Sequence, residues 1–388
     1  MLDNYFTEKL LGIQDAEIRK FDKGENTVII RLKRKTHKCP CCGEYTDKVH
    51  DYRKQIIKDV PQFGAPFTLV YEKRRYACSC GKRFAEKNTF LPRYHRMSIR
   101  LIFFVQALLK SSMSFKDAAK ISGLSLTTVI RIFDKVGINS FSLPEVISID
   151  EFKGNTGGEK YNCIITDPVN RKVLDILPSR HKSDLSSYFK RFQNRTDTTI
   201  FISDMWKPYA DIADTYFKSA KFVVDKYHWI RQVFWAFDRV RKDIQKQFQK
   251  DYRVYFKHSR KLLFKRYEDL YETEKQQVMV MLSVSPTLYS AHFLKEMFLR
   301  ILDCKDRNSA KKMLIKWIDN ASDSGIQSFV KCANTMRSWF TGILNSFDTP
   351  FTNGFTEGCN NKIKVLKRNA YGYRNFTRFR KRILYIFS

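Results

Sequence analysis

Asp150 closes an apolar run, Val146-Ile147-Ser148-Ile149, and Asp204 closes another, Thr199-Ile200-Phe201-Ile202-Ser203. In an α/β sheet, acids at the ends of apolar strands point into the cleft where ligands bind. Two such acids on neighbouring strands can share divalent cations. A hard cation such as Mg²⁺ takes oxygen ligands and keeps waters for substrate phosphates. A third acid must then come from elsewhere, and Glu357 is the candidate. It lies in Thr352-Asn353-Gly354-Phe355-Thr356-Glu357-Gly358-Cys359-Asn360-Asn361-Lys362-Ile363-Lys364, and Asn361, Lys364 and Arg368 follow it at helical spacing on one face. After Glu357 the chain has nine Lys/Arg and no Asp or Glu. One carboxylate amid so many cations suits a metal-dependent phosphoryl site working on DNA. A strand-end Asp alone is usually a turn or cap residue, so this reading rests on the three acids together.

The cysteines offer a different chemistry. Of nine, five crowd into one segment: Cys39, Cys41, Cys42, Cys78 and Cys80. An odd count argues against a disulfide framework and for a metal site. Cys39-Pro40-Cys41-Cys42-Gly43 supplies a C-x-x-C knuckle whose Gly permits the tight turn, and Cys78-Ser79-Cys80-Gly81 supplies a second, compressed pair. Four thiolates, Cys39, Cys42, Cys78 and Cys80, satisfy tetrahedral Zn²⁺ with no open position, which makes the site structural. Cys41, His37 or His50 remains available as a substitute for one ligand. Between the pairs, Ile56–Tyr76 reads as a hairpin with Pro61 and Gly64 at its turn, the layout of a zinc ribbon. Basic residues flank the site, among them Arg31, Arg34, Lys73, Arg75 and Arg83, as phosphate contact requires.

These groups need a scaffold. A chain of 388 residues suggests two to four domains. Lys plus Arg number 71 against 40 Asp plus Glu, a formal charge of +31 that points to a polyanionic partner. There is no run of about 18 apolar residues and no signal-like start, so neither a membrane span nor secretion is expected, and the cytoplasm is the expected site. A short helix is expected over Tyr5–Leu11, a strand over Thr27–Arg34 and a helix from Ser98 to Leu109. Ser114 then caps a helix ending at Gly123, and Ser125 caps a second, Leu126–Val136. Ala118, Ala119, Ile121, Leu124, Val129 and Ile132 would form the core of a helix-turn-helix, with Thr127, Thr128 and Arg131 on its exposed face. A Ser-Leu-Pro break at 142–144 marks a boundary.

Beyond it come five apolar strands: Val146–Ile149, Tyr161–Thr166, Lys172–Leu177, Thr199–Ser203 and Lys221–Val224. The first three follow one another through short turns and should be antiparallel; the later ones alternate with helices (Ser183–Phe192, Tyr209–Phe217) and should be parallel. From Trp229 to about Phe347 the pattern is helical only. Trp229 and Trp235 can stack on an unpaired base or serve a helical core. Asp225 and His228 sit near the fifth strand, where His228 can contact DNA, orient a ligand or be a buried structural histidine. A last helix opens near Asn353.

The order of these parts, with "ISIDEF", "FISDMWKPY", "VVDKYHWIRQ" and "TNGFTEGCNNKIKVLKRNAYGYRNFTRFRKRI", resembles the ISL3 family of bacterial insertion-sequence transposases over essentially the whole chain. The resemblance implies an α/β, RNase H-like catalytic core with a mixed five-stranded sheet, interrupted by an all-helical insertion and preceded by the zinc ribbon and helix-turn-helix. Its parts would run 1–92, 93–141, 142–228, 229–349 and 350–388: ribbon, helix-turn-helix, first catalytic segment, insertion, last catalytic segment. Carried over by motif, the DDE triad is Asp150, Asp204 and Glu357; strand alternation also favours Asp150 over Glu151. The implied reaction is DNA strand cleavage and transfer with Mg²⁺ or Mn²⁺. The implied partners are the element's terminal inverted repeats and target DNA, with a homodimer or higher assembly pairing two ends. The compressed C-x-C pair departs from the family pattern. A rival reading is a zinc-dependent DNA-binding regulator with an inert acid cluster. Another is a sequence-independent nuclease, against which the two reader modules argue.

Overall fold

The computed structural model describes residues 11–388 apart from 14, 23, 63, 139, 140 and 249, with the side chains of 252, 255 and 257–259 left aside. The expected helix over Tyr5–Leu11 lies outside the described residues except for Leu11. Two compact units make up the chain: one holds residues up to Ile138 with Val365–Gly372, the other Asn139–Lys364 and Tyr373–Ser388.

The first unit is built on a twisted sheet. Its strands are β1 (Ala16–Asp22), β2 (Thr27–Leu32), β5 (Val49–Gln62), β6 (Ala65–Ala77) and β7 (Arg83–Ala85), while β3 (His37–Lys38) pairs separately with β4 (Tyr45–Thr46). The order is β1-β2-β6-β5 with β7 added to β6, and only the β2–β6 pair is parallel. The expected hairpin is the long β5–β6 ladder, closed where Gln62 pairs with Ala65. Alternation puts Val28, Ile30, Ile57, Leu69 and Tyr71 into one core. Beside that core Arg74 and Glu86 are buried together. Glu86 accepts from Tyr71 Oη at 2.7 Å, from Arg74 N at 2.9 Å and from Arg74 Nη1 at 3.3 Å, so both charges are compensated.

Three helices follow: α1 (Ile99–Lys110), α2 (Phe115–Ser122) and α3 (Leu126–Asp134). Ser98, Ser114 and Ser125 cap them, each side chain accepting from a backbone N–H three residues on. The turn between α2 and α3 is left-handed at Gly123. Buried Asp59 of β5 accepts from Ser98 Oγ and from Arg100, which fixes the start of α1 on the sheet. The core expected of this motif needs one correction. Ile121 is 43% exposed, and Phe133, fully buried, takes the inward position instead. Phe133 sits four residues after Val129, so one face of α3 carries Val129, Ile132 and Phe133.

The second unit contains a five-stranded sheet of β8 (Val146–Thr156), β9 (Glu159–Asp167), β10 (Lys172–Leu177), β11 (Ile200–Ser203) and β12 (Lys221–Val224), in the order β10-β9-β8-β11-β12. The chain meanders antiparallel through β8, β9 and β10; β11 and β12 then run parallel to β8. Both sheet directions match the expectation from turn lengths. Helices α4 (Lys182–Phe189) and α5 (Lys207–Tyr216) cover one face, packing Leu185, Phe189 and Tyr209 over Ile147, Ile149 and Phe201. The opposite face carries Ser148, Asp150 and Ile202, which alternation turns the other way.

From β12 the chain enters α6 (Lys226–Lys246), α7 (Lys250–Phe264), α8 (Glu272–Ser283), α9 (Pro286–Leu299), α10 (Arg307–Asp323), α11 (Gln327–Ser338) and α12 (Phe340–Asn345). This excursion is all-helical as expected, around Trp229, Phe298, Trp317 and Phe329. The buried Lys295 ammonium donates to the carbonyls of Leu263 and Lys265 at 2.9 and 2.6 Å, closing the end of α7. The excursion then returns to the sheet. Asn345 Nδ2 donates to Phe222 O at 2.7 Å, satisfying an edge carbonyl of β12. The approach is close: a Cβ on Gly342 would stand 2.7 Å from Val224 Cγ2. Two helices finish the chain, α13 (Gly354–Asn369) and α14 (Phe376–Phe387). On the β10 edge, Arg380 of α14 grips buried Asp175 with two hydrogen bonds of 2.5 and 2.9 Å.

Candidate active site and metal centres

The cysteine cluster is assembled by two tight turns. Cys39 N donates to Glu44 O at 2.8 Å and Gly43 N to Cys39 O at 3.1 Å; Cys78 N donates to Lys82 O at 2.9 Å and Gly81 N to Cys78 O at 3.0 Å. Gly43 and Gly81 both sit in the left-handed region, at φ +82° and +83°, where a side chain would strain the turn. The turns bring Cys39 Sγ to 3.7 Å from Cys80 Sγ and Cys42 Sγ to 3.5 Å from Cys78 Sγ. All four thiols lie within 4.8 Å of one another. A tetrahedron with Zn–S of about 2.3 Å has edges of about 3.8 Å, so the donor set fits zinc. The short C-x-C pair therefore closes the site as well as the longer one does. Cys41 lies outside the cluster and is exposed. His37 instead packs its ring 4.7 Å from that of Tyr76. Donation from the Cys80 N–H lowers the Cys78 thiol, while the neighbouring thiols push Cys80 and Cys42 up, as expected where four thiols crowd together.

The acids come together by register. Ile202 of β11 pairs with Ser148 of β8, so Asp150 within β8 and Asp204 just past β11 each follow the last paired position by two residues. Ser203 pairs with Val224 of β12, so Asp225 continues the same row one strand over. Asp150 is buried. Its Oδ1 accepts from Glu151 N at 2.7 Å and its Oδ2 from Asn360 Nδ2 at 2.9 Å. Glu151 points to the other face, where Arg180 holds it at 2.6 Å and Tyr209 Oη at 3.4 Å.

Glu357 arrives on the first turn of α13. That turn is fastened to the sheet by buried side chains. Ser148 Oγ donates to Asn353 Oδ1 at 2.5 Å, Thr356 Oγ1 donates to Ser148 Oγ at 3.1 Å, and the Thr356 and Thr166 hydroxyls share a hydrogen bond of 2.8 Å. Asn353 N donates to Asp225 Oδ1 at 3.2 Å. Ligand atoms of Asp225, His228 and Glu357 then lie within 4.8 Å of one another. Asp150 does not end its strand as expected, because β8 continues to Thr156; it sits mid-strand beside Asp204, which follows the end of β11 and feels its charge. The Glu357 charge reaches Asp150, while the tight group of acid and imidazole ligand atoms among the described residues is Asp225, His228 and Glu357.

Electrostatics reflect this crowding. Burial first, then the charges of Glu151, Asp225 and Glu357, push the Asp150 carboxyl up to about 7. Burial, with Glu151 and Asp150, does the same to Asp204, also to about 7, against the opposing pull of Arg180 and Arg231. Asp225 is raised by burial. His228 is lowered by burial and by Arg231, against the opposing pull of Glu357. Asp204 Oδ1 and Asp225 Oδ2 are buried with no hydrogen-bond partner. Buried carboxylate oxygens left without donors, among four clustered acids, are the arrangement a divalent cation completes.

Asn361, Lys364 and Arg368 are exposed on α13, opposite buried Ile363 and Leu366. Thr127 and Arg131 are exposed on α3 and Thr128 is half-buried, bonded to Ser125 Oγ at 2.8 Å. Trp229 is core, between Phe298 and Phe347. Trp235 is half-exposed under the Arg231 guanidinium, 4.4 Å from its ring centre. Asn360, Arg180 and Asp225 also belong to this region, through their bonds to Asp150, Glu151 and Asn353. For Asp225 a signal existed, an acid directly after an apolar strand; for Asn360 and Arg180 nothing in the local sequence distinguishes them.

Comparison with known proteins follows the same division. A DDE-type ISL3 family model described as "Transposase" matches residues 147–383. One described as the zinc-finger of transposase IS204/IS1001/IS1096/IS1165 matches 35–80, and the helix-turn-helix domain of transposase family ISL3 matches 86–137. The transposase for insertion sequence element IS1001 of Bordetella parapertussis is 29% identical over 395 aligned positions, covering 97% of this chain and 96% of that one. The transposase for IS1557 of Mycobacterium tuberculosis is 31% identical over 119, or 31% of this chain. A Lactococcus lactis chain named ATP-dependent protease is 35% identical over 112, covering 29% of this chain and 34% of its own. A zinc ribbon and a helix-turn-helix standing before a mixed α/β transposase domain define a DNA-transposing enzyme. The chain belongs to the ISL3 family of insertion-sequence transposases. No helix among the described residues is long and apolar enough to cross a membrane.

Proposed function

We propose that this transposase binds the terminal inverted repeats of its element and cleaves and joins DNA strands with Asp150, Asp204 and Glu357 as the catalytic acids, on an RNase H-like core. The observation that carries the reading is the parallel β8–β11 register ending at Ser148 and Ile202, two residues before Asp150 and Asp204, with the Asp150 charge felt at Asp204 and the Glu357 charge felt at Asp150. The meander of three strands followed by two parallel ones supports the core assignment. In this reading the parts run 1–92 (ribbon), 93–141 (helix-turn-helix), 142–228 and 350–388 (catalytic core) and 229–349 (insertion).

Asp150, Asp204 and Glu357 would hold Mg²⁺ or Mn²⁺. Bound there, such cations supply activation of an attacking hydroxyl and neutralisation of the leaving oxygen. The chain's own residues prepare that site. Asn360 fixes the Asp150 rotamer, and Arg180 holds Glu151 away on the other face. The buried hydroxyls beneath Thr356 hold Glu357 at the sheet. The acids serve as ligands and not as nucleophiles, so no protein–DNA bond forms. Cys39, Cys42, Cys78 and Cys80 hold structural Zn²⁺ in the ribbon. Thr127, Thr128 and Arg131 face base edges, while Asn361, Lys364 and Arg368 follow the DNA backbone. Two copies would act together where two ends are paired, in the cytoplasm on chromosomal DNA.

The test is incubation of the purified chain with labelled element ends and Mg²⁺. Cleavage at the junction of element and flank is expected. Specific end binding with no cleavage under any divalent cation would leave a regulator and overturn the reading.

A further inference from the structure

We propose that Asp225 is a fourth carboxylate ligand, pairing with Glu357 to hold one divalent cation beside the position shared by Asp150 and Asp204. The proposal rests on the metal-dependent reading above and adds to its ligand set. Asp225 is 4% exposed. One of its oxygens accepts from Asn353 N at 3.2 Å, while the other, Oδ2, is buried with no donor. A buried, ionised oxygen without a partner is costly, and a cation removes that cost. Asp225 also continues the row of Asp150 and Asp204 across the sheet, and its charge reaches Asp150. One of its carboxylate oxygens lies within 4.8 Å of an oxygen of Glu357 and of a ring nitrogen of His228, near enough for one ion to touch both carboxylates.

His228 completes this group in a different role. Arg231 Nη2 lies 3.4 Å from His228 Nδ1. A guanidinium only donates, so Nδ1 is the acceptor and the ring proton sits on Nε2. Nε2 is the atom facing Asp225 Oδ2, at 3.9 Å. The imidazole therefore presents an N–H to the carboxylates and not a lone pair. His228 is a positioning residue, steering the free oxygen of Asp225, and the cation's protein ligands here are oxygens.

The arrangement also explains why the acid sits where it does. Asp225 occupies the N-cap position of α6, where the backbone N–H groups of Tyr227, His228 and Lys226 favour its charge without any of them completing a hydrogen bond to the side chain. Its bonded oxygen instead holds the residue that opens α13. One carboxylate thus ties the strand end to the helix that carries Glu357, and its second oxygen is left over for the ion.

The experiment is Mn²⁺ titration of the zinc-loaded full chain without DNA, read by loss of the free-ion electron paramagnetic resonance signal. Melting temperature and end binding serve as checks on folding. Wild type should take up two Mn²⁺ per chain. Asp225→Asn, which keeps the size and the acceptor for Asn353, should lose one Mn²⁺ or weaken it at least tenfold with end binding unchanged. His228→Gln, which keeps an N–H donor, should retain both ions; His228→Ala should weaken one. If Asp225→Asn binds Mn²⁺ as wild type does while Asp150→Asn and Asp204→Asn do not, Asp225 is no ligand and the three-acid reading stands. If only Asp225→Asn loses an ion, Asp225 stands and the assignment of the two aspartates falls. A wild-type chain that binds no Mn²⁺ sinks both.

Discussion

The cysteine cluster and the carboxylate row both gather ligands that repel one another when ionised, but they do it by opposite means. Each thiol pair is set by a turn of four or five residues, with Gly43 and Gly81 supplying the left-handed corner. Little beyond the β5–β6 hairpin is needed to bring the two pairs together. The acids come from the middle of β8, the residue after β11, and Glu357, which 152 residues separate from Asp204, and only the assembled sheet and α13 join them. The thiols close on one another at 3.5 and 3.7 Å. The acids keep buried oxygens free of donors. A locally encoded, closed set suits a metal that holds a fold. A set that the whole fold must assemble, with unfilled valences, suits metals that meet a substrate.

The contrast is tested first where the effect should be largest. The Cys39→Ser/Cys78→Ser double variant should fall from one zinc per chain to none by metal analysis. Structural zinc contributes on the order of 10 kcal/mol of apparent binding energy, so the ribbon should unfold and end binding disappear. Undiminished zinc would mean that other residues hold it.

Next come the acids. Glu357→Gln, Asp150→Asn and Asp204→Asn should each keep the fold and end binding while strand cleavage drops at least about a thousandfold. The triple variant should be little worse than any single one, because the acids act as one site. A Glu357→Gln protein that cleaves normally would break the assignment.

Support around the acids should matter less than the acids themselves. Asn360→Ala removes the donor to Asp150 and should lower Mn²⁺ affinity and cleavage by about 10–100-fold, with a small change in melting temperature. The corresponding change in the first unit should be read in stability. Glu86→Ala strands the buried Arg74 charge and should cost about 3–5 kcal/mol in denaturant unfolding. If Asn360→Ala unfolded the protein while Glu86→Ala did not, the contrast between the two regions would be reversed.

The smallest effects belong to the DNA faces. Arg131→Ala should weaken binding to element ends by about 1–3 kcal/mol and relax sequence preference. Lys364→Ala should lower affinity for all sequences alike and reduce the salt slope by about one. Equal loss on specific and random duplex in the Arg131 variant would place base reading elsewhere.

What the sequence disclosed follows the same line. The cysteine cluster was legible because its geometry is local, and Asp204 stood out as an acid directly after an apolar strand; the strand expected to stop at Asp150 runs on to Thr156 because polar residues continue the ladder with β9. Both sheet directions followed from the lengths of the connections. Ile121 was misread because its helical period points inward, but α2 is a short helix and its buried face holds only small residues, Ala118, Ala119 and Ser122. The Asn360–Asp150 and Asn353–Asp225 bonds were not legible, since each joins residues more than 120 positions apart and depends on how α13 seats on the sheet.

That last bond has a consequence for how such a chain can change over time. The helical excursion leaves the sheet right after Asp225 and returns at Asn353, whose backbone N–H lies 3.2 Å from the Asp225 carboxylate. Departure and return are neighbours, like the two ends of a handle fixed to one plate. Segments can be lengthened, trimmed or replaced along that handle at little entropic cost, and Glu357 stays where the sheet holds it. The contacts that hold the excursion to the sheet sit at its base, in the Asn353–Asp225 bond, the Asn345–Phe222 bond and the close approach of Gly342 to Val224, so a change in a loop farther out leaves Glu357 where it is.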